Sequence, residues 1–306
     1  MSMAVTQLEG WGLEDLSAVY DLLRASLPGE RIADWHVRET VFADSDASPE
    51  LLLAAREGDQ LVGVAAAVMR RSYPGLAESR QGGWIKLLAV APQWRRRGIG
   101  GALVRELERR LAAAGATRVR TFRCTPHWFW PGIDLAATPA LCLFLANGYQ
   151  RFGEDAIDMM IPLGERDFST SAEEQRLSVG GVRCVRVTEE YAALFRAHVG
   201  SPASGNQAAL VMRALPATAH IAVAGGDMVG FAVYDACGPG WFGPMATAAH
   251  YRGRGIGSVL LKRCCADVQA RGADNLEIGP VAPIGFYSKT VDAAINRCFW
   301  TLEKRL

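Results

Sequence analysis

Two short stretches carry residue types suited to one task, the capture of an anion. The first reads Arg95-Arg96-Arg97-Gly98-Ile99-Gly100-Gly101 and the second Arg252-Gly253-Arg254-Gly255-Ile256-Gly257-Ser258. Guanidinium groups bring permanent charge and forked donors that match phosphate oxygens. Glycines leave no side chain between an incoming anion and the backbone N–H groups. A helix that follows such a turn offers unpartnered amides and the positive end of its peptide dipole. The spacing Arg-x-x-Gly-x-Gly ahead of a helix therefore reads as a pyrophosphate cradle.

The flanking sequence supplies the elements that such a cradle requires. Ile85–Val90 is an apolar run that suits a buried strand, and Pro92 follows it. Beyond the glycines, Leu103, Leu107 and Leu111 mark a helix face that Gly115 ends. The second stretch repeats the plan: Gly98 and Gly255 lie 157 positions apart, as do Gly115 and Gly272. Two copies in register, with equal helix lengths behind them, point to a duplicated domain. Other phosphate motifs fit worse. A P-loop needs Gly-Lys-Ser/Thr after its glycines, and a dinucleotide fingerprint needs a third glycine where Leu103 and Leu260 stand.

With a strand before and a helix after, each Arg-x-x-Gly-x-Gly turn resembles the acetyl-CoA-binding motif of the GNAT N-acetyltransferase family, and the resemblance extends over most of both halves. It implies an α+β chain of two tandem GNAT-like domains, each a mixed, mostly antiparallel sheet flanked by helices. The domains are expected at 1–165 and 179–306, joined by a polar linker at 166–178. The resemblance also implies acetyl-CoA as co-substrate and no metal. Its pantetheine arm would pair with the cradle strand at Leu88, Ala89 and Val90 in the first half and at Met245, Ala246 and Thr247 in the second, a form of strand addition.

The family pattern further places a base glutamate four residues before Val90, where this chain has Lys86; the counterpart in the second half is Gly243. It places a tyrosine acid shortly before the Gly-aromatic pair that follows the last helix. Phe144, ahead of Gly148-Tyr149, holds that place in the first half, and phenylalanine donates no proton. Tyr287 holds it in the second. Catalysis is accordingly expected in the second half through Tyr287, with the first half binding CoA and slow, or structural. In the aromatic loop His127–Asp134, Trp128, Phe129 and Trp130 either line an acceptor pocket anchored by Asp134 or cover an interdomain seam.

The rest of the chain falls into place around these motifs. A strand is expected at Val5–Leu8, and helices at Leu13–Leu27 and Arg31–Phe42. In this fold the two helices would roof the acceptor side, although Glu30, Asp34, His36 and Glu39 equally suit a solvated helix face. A hairpin at Leu51–Glu57 and Leu61–Met69 recurs at His220–Ala224 and Val229–Tyr234. Arg70–Gly83 reads as a surface loop, Gly200–Gly205 as a small-residue link and Asn206–Leu215 as a helix. Ile157–Leu163 should close the first half and Arg297–Glu303 the second.

Bulk properties exclude several classes. The 306 residues suit two domains, and a net charge of +1 argues against nucleic acid as the main partner. No apolar run approaches the roughly 20 residues that span a bilayer, and the N-terminus does not read as a signal peptide. Seven scattered cysteines show no metal or redox spacing and fit reduced thiols in a cytoplasm. The expected function is transfer of an acetyl group from acetyl-CoA to an amine of a small molecule. The rival readings are a non-catalytic acyl-CoA-binding scaffold and a peptide or protein N-acetyltransferase. Oligomeric state is not readable.

Overall fold

The structure, a computed structural model, describes residues 7–70, 82–124, 128–199 and 218–306. The first residues of the Val5–Leu8 strand, most of the Arg70–Gly83 loop, His127, the Gly200–Gly205 link and the Asn206–Leu215 helix lie outside the described residues. The chain divides into two units, Met1–Ala156 with Cys298–Leu306, and Ile157–Arg297.

The first unit is built on the order β1-β2-β3-β4-β5-β15-β7. Its strands are β1 (Gln7–Gly10), β2 (Leu52–Glu57), β3 (Gln60–Met69), β4 (Gly82–Val90), β5 (Arg118–Thr121), β7 (Gln150–Arg151) and β15 (Leu302–Arg305), with β6 (Ile133–Asp134) apart from this sheet. β3 is buried from Val62 onward, as a central strand covered on both faces must be. The helices are α1 (Leu16–Ser26), α2 (Asp34–Val37), which runs on into a wide turn at Arg38–Phe42, α3 (Ile99–Ala113) and α4 (Thr138–Ala146). Leu103, Leu107 and Leu111 of α3 are fully buried, so the leucine spacing marks the face that packs on the sheet.

The sheet forks at one place. β4 pairs in parallel with β5 only from Gly82 to Ile85, opposite Arg118 to Thr121. On its other side β4 stays paired with β3 as far as Val90, opposite Gly63. Gly63 is required there: a Cβ would stand 3.2 Å from Ile99 Cγ2 and 3.3 Å from Leu103 Cδ1, where α3 crosses the strand.

The second unit repeats this register. Its strands are β8 (Ala156–Pro162), β9 (Val182–Arg186), β10 (Ala219–Ala224), β11 (Asp227–Tyr234), β12 (Trp241–Thr247), β13 (Asn275–Ile278) and β14 (Ala294–Trp300), in the order β14-β8-β13-β12-β11-β10-β9. Its helices are α5 (Ser171–Val179), α6 (Glu189–Val199), α7 (Ile256–Ala270) and α8 (Ile284–Val291). β12 pairs in parallel with β13 only at Trp241 and Phe242, and with β11 as far as Thr247, opposite Gly230. A Cβ on Gly230 would meet Ile256 Cγ2 at 3.3 Å and Leu260 Cδ1 at 3.4 Å, the same crossing as at Gly63.

The observed boundaries differ from the expected ones in two respects. The segment 166–178 is packed structure of the second unit: Phe168 is buried, and α5 begins at Ser171 and buries Leu177. The closing strands also change places. Ile157–Leu163 was expected to complete the first half, yet β8 lies between β13 and β14 in the second sheet. The expected final strand Arg297–Glu303 is divided between β14 and β15, and β15 lies between β5 and β7 in the first sheet. Apolar alternation tells a strand which face to bury; it does not choose the edge that it joins.

Candidate active site

The two glycine turns have matching backbones. Gly98 (φ +84°) and Gly255 (φ +89°) are the N-caps of α3 and α7, both left-handed, a conformation that glycine adopts without strain. Arg96 (φ +62°) and Gly253 (φ +77°) are left-handed at equivalent places. Ala102 donates to the Gly98 carbonyl at 3.0 Å and Val259 to the Gly255 carbonyl at 3.1 Å. The amides just ahead of them, at Ile99, Gly100 and Gly101 and at Ile256, Gly257 and Ser258, precede the helical ladder, as an anion site requires. A Cβ on Gly98 or Gly255 would meet nothing within 4 Å, so both caps are open.

The motif residues divide their roles. Arg95 Nε donates to the Val90 carbonyl at 3.1 Å and Arg252 Nε to the Thr247 carbonyl at 3.0 Å. These first arginines, expected on phosphate, fasten each turn to the end of its cradle strand. Arg97 lies 4.5 Å over the Trp94 ring and Arg254 4.9 Å over the Tyr251 ring, both exposed and suited to meet an anion. Ile99 and Ile256 are buried, so they serve the cradle through backbone alone. The second motif glycines answer to packing. A Cβ on Gly100 would be 3.1 Å from Leu143 of α4, and one on Gly257 would be 3.4 Å from Phe286 of α8 and 3.3 Å from Met245.

Downstream of each fork, Leu88, Ala89 and Val90 in β4 and Met245, Ala246 and Thr247 in β12 have no partner strand on the β5 or β13 side among the described residues. This open edge suits an extended pantetheine arm. Charge repulsion at the caps tests the cradles. Asp tolerates positive φ better than most residues, so Gly98→Asp and Gly255→Asp should fold. A carboxylate some 4 Å from a phosphate costs about 4 kcal/mol at an effective dielectric of 20, close to a 10³-fold loss. Calorimetry should find two CoA sites in the unmodified chain and one in each variant; a single site in the unmodified chain would refute the pairing of cradles.

Where the first fork opens, Lys86 is bound into a buried ion cluster. Its Nζ lies 2.5 Å from Asp44 Oδ2, and Arg70 Nη2 donates to the same oxygen at 2.6 Å. Arg70 Nη1 reaches Asp46 at 3.2 Å, and Nη2 reaches Cys124 Sγ at 3.0 Å. The guanidinium and ammonium overcome the cost of burial and hold the Asp44 carboxyl well below its ordinary range, while burial pushes the Cys124 thiol up. A pocket of about 220 Å³ opens on the same side of β4, walled by Arg70, Trp84, Arg120, Arg123 and Thr301 among others.

Tyr287 sits in α8 with 7% of its surface exposed, its ring 6.3 Å from Phe242 and 5.1 Å from Phe286. Burial pushes its pKa up to about 12, so the phenol keeps its proton at neutral pH and is able to donate it. Phe144 is wholly buried, 5.0 Å from Tyr149.

Phe129 and Trp130 are buried in the core of the first unit, and Trp130 Nε1 donates to Glu30 at 2.9 Å. Asp134 closes a turn by accepting from the Ala136 amide at 2.8 Å. Trp128 is half-buried, its carbonyl 3.4 Å from His36 Nε2. His36 itself is buried against Phe129, whereas Asp34 pairs with Arg38 on an exposed face. Among the described residues no group of His, Cys, Asp and Glu could hold a metal ion, and no helix is long and apolar enough to cross a membrane.

Comparison with known proteins agrees with this geometry. The model of the acetyltransferase (GNAT) family matches residues 16–127, and that of the acetyltransferase (GNAT) domain matches residues 216–290. No curated protein matches the chain. Among solved structures, the tandem GNAT protein of the clavulanic acid biosynthesis pathway is 16% identical, with a TM-score of 0.67 over 98% of each chain. A GCN5-related N-acetyltransferase from Sphaerobacter thermophilus is 18% identical, with a TM-score of 0.63 over 98% of this chain and 95% of its own. A GCN5-related glucosamine N-acetyltransferase region of a fungal multi-domain β-N-acetylglucosaminidase is 15% identical, with a TM-score of 0.70 over 99% of this chain. The present chain spans only 38% of that fungal protein. At these identities the likeness is one of fold. Two family models on two forked sheets with the same cradle establish that the chain belongs to the GNAT acetyltransferase family, as a tandem of two such domains.

Proposed function

We propose that the second unit transfers an acetyl group from acetyl-CoA to an amine of a small molecule, and that the first unit binds CoA without turnover. The observation that carries this reading is the contrast between the two forks. Both cradles share one backbone geometry, yet the position that the family pattern gives to a tyrosine acid holds Tyr287 in the second unit and Phe144 in the first. In the first, Lys86 is neutralised by Asp44 and Phe144 is core. A backbone N–H on the open edge of β12 would polarise the thioester carbonyl.

The test is turnover of acetyl-CoA by the full chain with a panel of small amines and N-terminal peptides, following free thiol and product mass together. Multiple turnovers on a small amine are expected. Acetylation confined to peptides would overturn the acceptor class. CoA binding without turnover on any amine would leave the scaffold reading standing.

A further inference from the structure

The pocket of the first unit shows where its counterpart in the second unit must be sought. Trp84 of β4, Arg120 of β5 and Thr301 contribute to its wall. Trp84 is opposite Arg120 in the parallel pair, as Trp241 is opposite Glu277. Arg120 is opposite Glu303, as Glu277 is opposite Met160. Thr301 stands two residues before Glu303, and Asp158 stands two residues before Met160. Register therefore puts Asp158 in the place of Thr301 and Glu277 in the place of Arg120. Where the first unit has an arginine and a threonine, the second has two carboxylates.

The side-chain positions agree. Met159 and Ile161 of β8 and Leu276 and Ile278 of β13 belong to the core cluster that contains the buried face of α7. Alternation sends Asp158 and Glu277 to the opposite face of the sheet. Asp158 is wholly buried and Glu277 nearly so. The Asp158 carboxylate lies against Gly279, where any Cβ would collide with it. Gly279 follows Ile278, the last residue of β13 paired with β12, and Gly243 follows its partner Phe242. The carboxylate thus stands at the mouth of the fork, beside the strand position whose own side chain is missing at Gly243. Glu277 of β13 is itself paired with Arg297 of β14 at 3.6 Å.

We propose that Asp158 replaces the absent strand carboxylate as general base for a primary amine. The proposal rests on the reading of the second unit as an acetyltransferase. The acceptor enters as an ammonium and gives one proton to Asp158. Its nitrogen lone pair forms the new bond to the thioester carbon, and the carbon–sulfur bond breaks with its electron pair leaving on sulfur. Tyr287 protonates that sulfur and is itself reprotonated by the second proton lost from nitrogen. The products are the N-acetyl amine, CoA thiol and one proton, released when Asp158 ionises again.

The experiment compares the full chain with Asp158→Asn on a primary amine that the unmodified protein acetylates, across pH 6 to 9.5. The variant should lose about 10²-fold or more in kcat/KM at pH 7 and bind CoA within about twofold of the parent by calorimetry. Retention of more than half the activity overturns the proposal. Should the variant not fold, the unmodified protein decides the matter with two amines of different basicity. A kcat/KM that follows the neutral fraction of each amine across this range means that the acceptor must arrive neutral and rejects Asp158; one that does not follow it means that the protein takes the proton. An unmodified protein that acetylates nothing overturns the functional reading and this proposal together, whereas an active one indifferent to Asp158→Asn overturns this proposal alone.

Discussion

Tyr287→Phe is expected to lower kcat and kcat/KM together by about 10²–10⁴-fold, the usual span for a general acid. A hydroxyl that protonates the departing sulfur acts chiefly in the transition state, so its removal should leave CoA binding nearly intact. Phenylalanine keeps the ring and its packing against Phe242 and Phe286, which isolates the hydroxyl. The matching change in the first unit, Phe144→Tyr, should restore nothing. Phe144 is enclosed by Phe122 and Tyr149, where a new hydroxyl without a partner would cost about 1–3 kcal/mol. Steady-state kinetics with calorimetric CoA affinities decide the point. A Tyr287→Phe protein that keeps more than about half its activity would make the tyrosine a packing residue and move the search for an acid elsewhere.

Removal of residues 302–306 should unfold the first unit and leave the second folded. β15 fills the space between β5 and β7, and its loss takes away several supports at once. Leu302 is fully buried, and emptying a site of that kind costs about 2–5 kcal/mol. Lys304 Nζ lies 2.7 Å from the buried Glu108 carboxylate, and breaking such a pair costs about 3–5 kcal/mol. Arg120 loses Glu303 at 2.7 Å, and Thr121 Oγ1 loses the Leu302 amide at 3.0 Å. The sum rivals the roughly 5–15 kcal/mol that holds a domain together. Calorimetric titration should then count one CoA site, the one at Gly255, and denaturant unfolding should lose one transition. A truncated chain that still binds two CoA molecules would show that β15 is dispensable.

The cradles were legible because all their determinants are local. The Arg-x-x-Gly-x-Gly spacing, the leucine face and the terminal glycine lie within one strand–turn–helix, and backbone conformation alone makes Gly98 and Gly255 necessary. The same locality identified Tyr287 as the one phenol at the expected place. Sequence reading gave the motif arginines to phosphate, and the structure adds that Arg95 and Arg252 also hold their turns to the strand ends through Nε. An arginine's type announces charge and donors, and only its surroundings decide which acceptor it reaches. The aromatic run at Trp128–Trp130 was conspicuous for its composition, yet most of its surface fills core.

The duplication, the α+β class and the left-handed glycine turns that open α3 and α7 were determined by the sequence by itself, since each rests on periodicity or on contacts a few residues long. The exchange of β8 and β15, the ion cluster around Lys86 and the placement of Asp158 beside Gly279 were decided by tertiary structure alone. Each joins segments far apart in the chain: Asp44 meets Lys86, Leu302 meets Thr121, and Asp158 meets Gly279. Alternating side chains give every strand a face to bury, but its neighbour is whichever edge the folded chain leaves open.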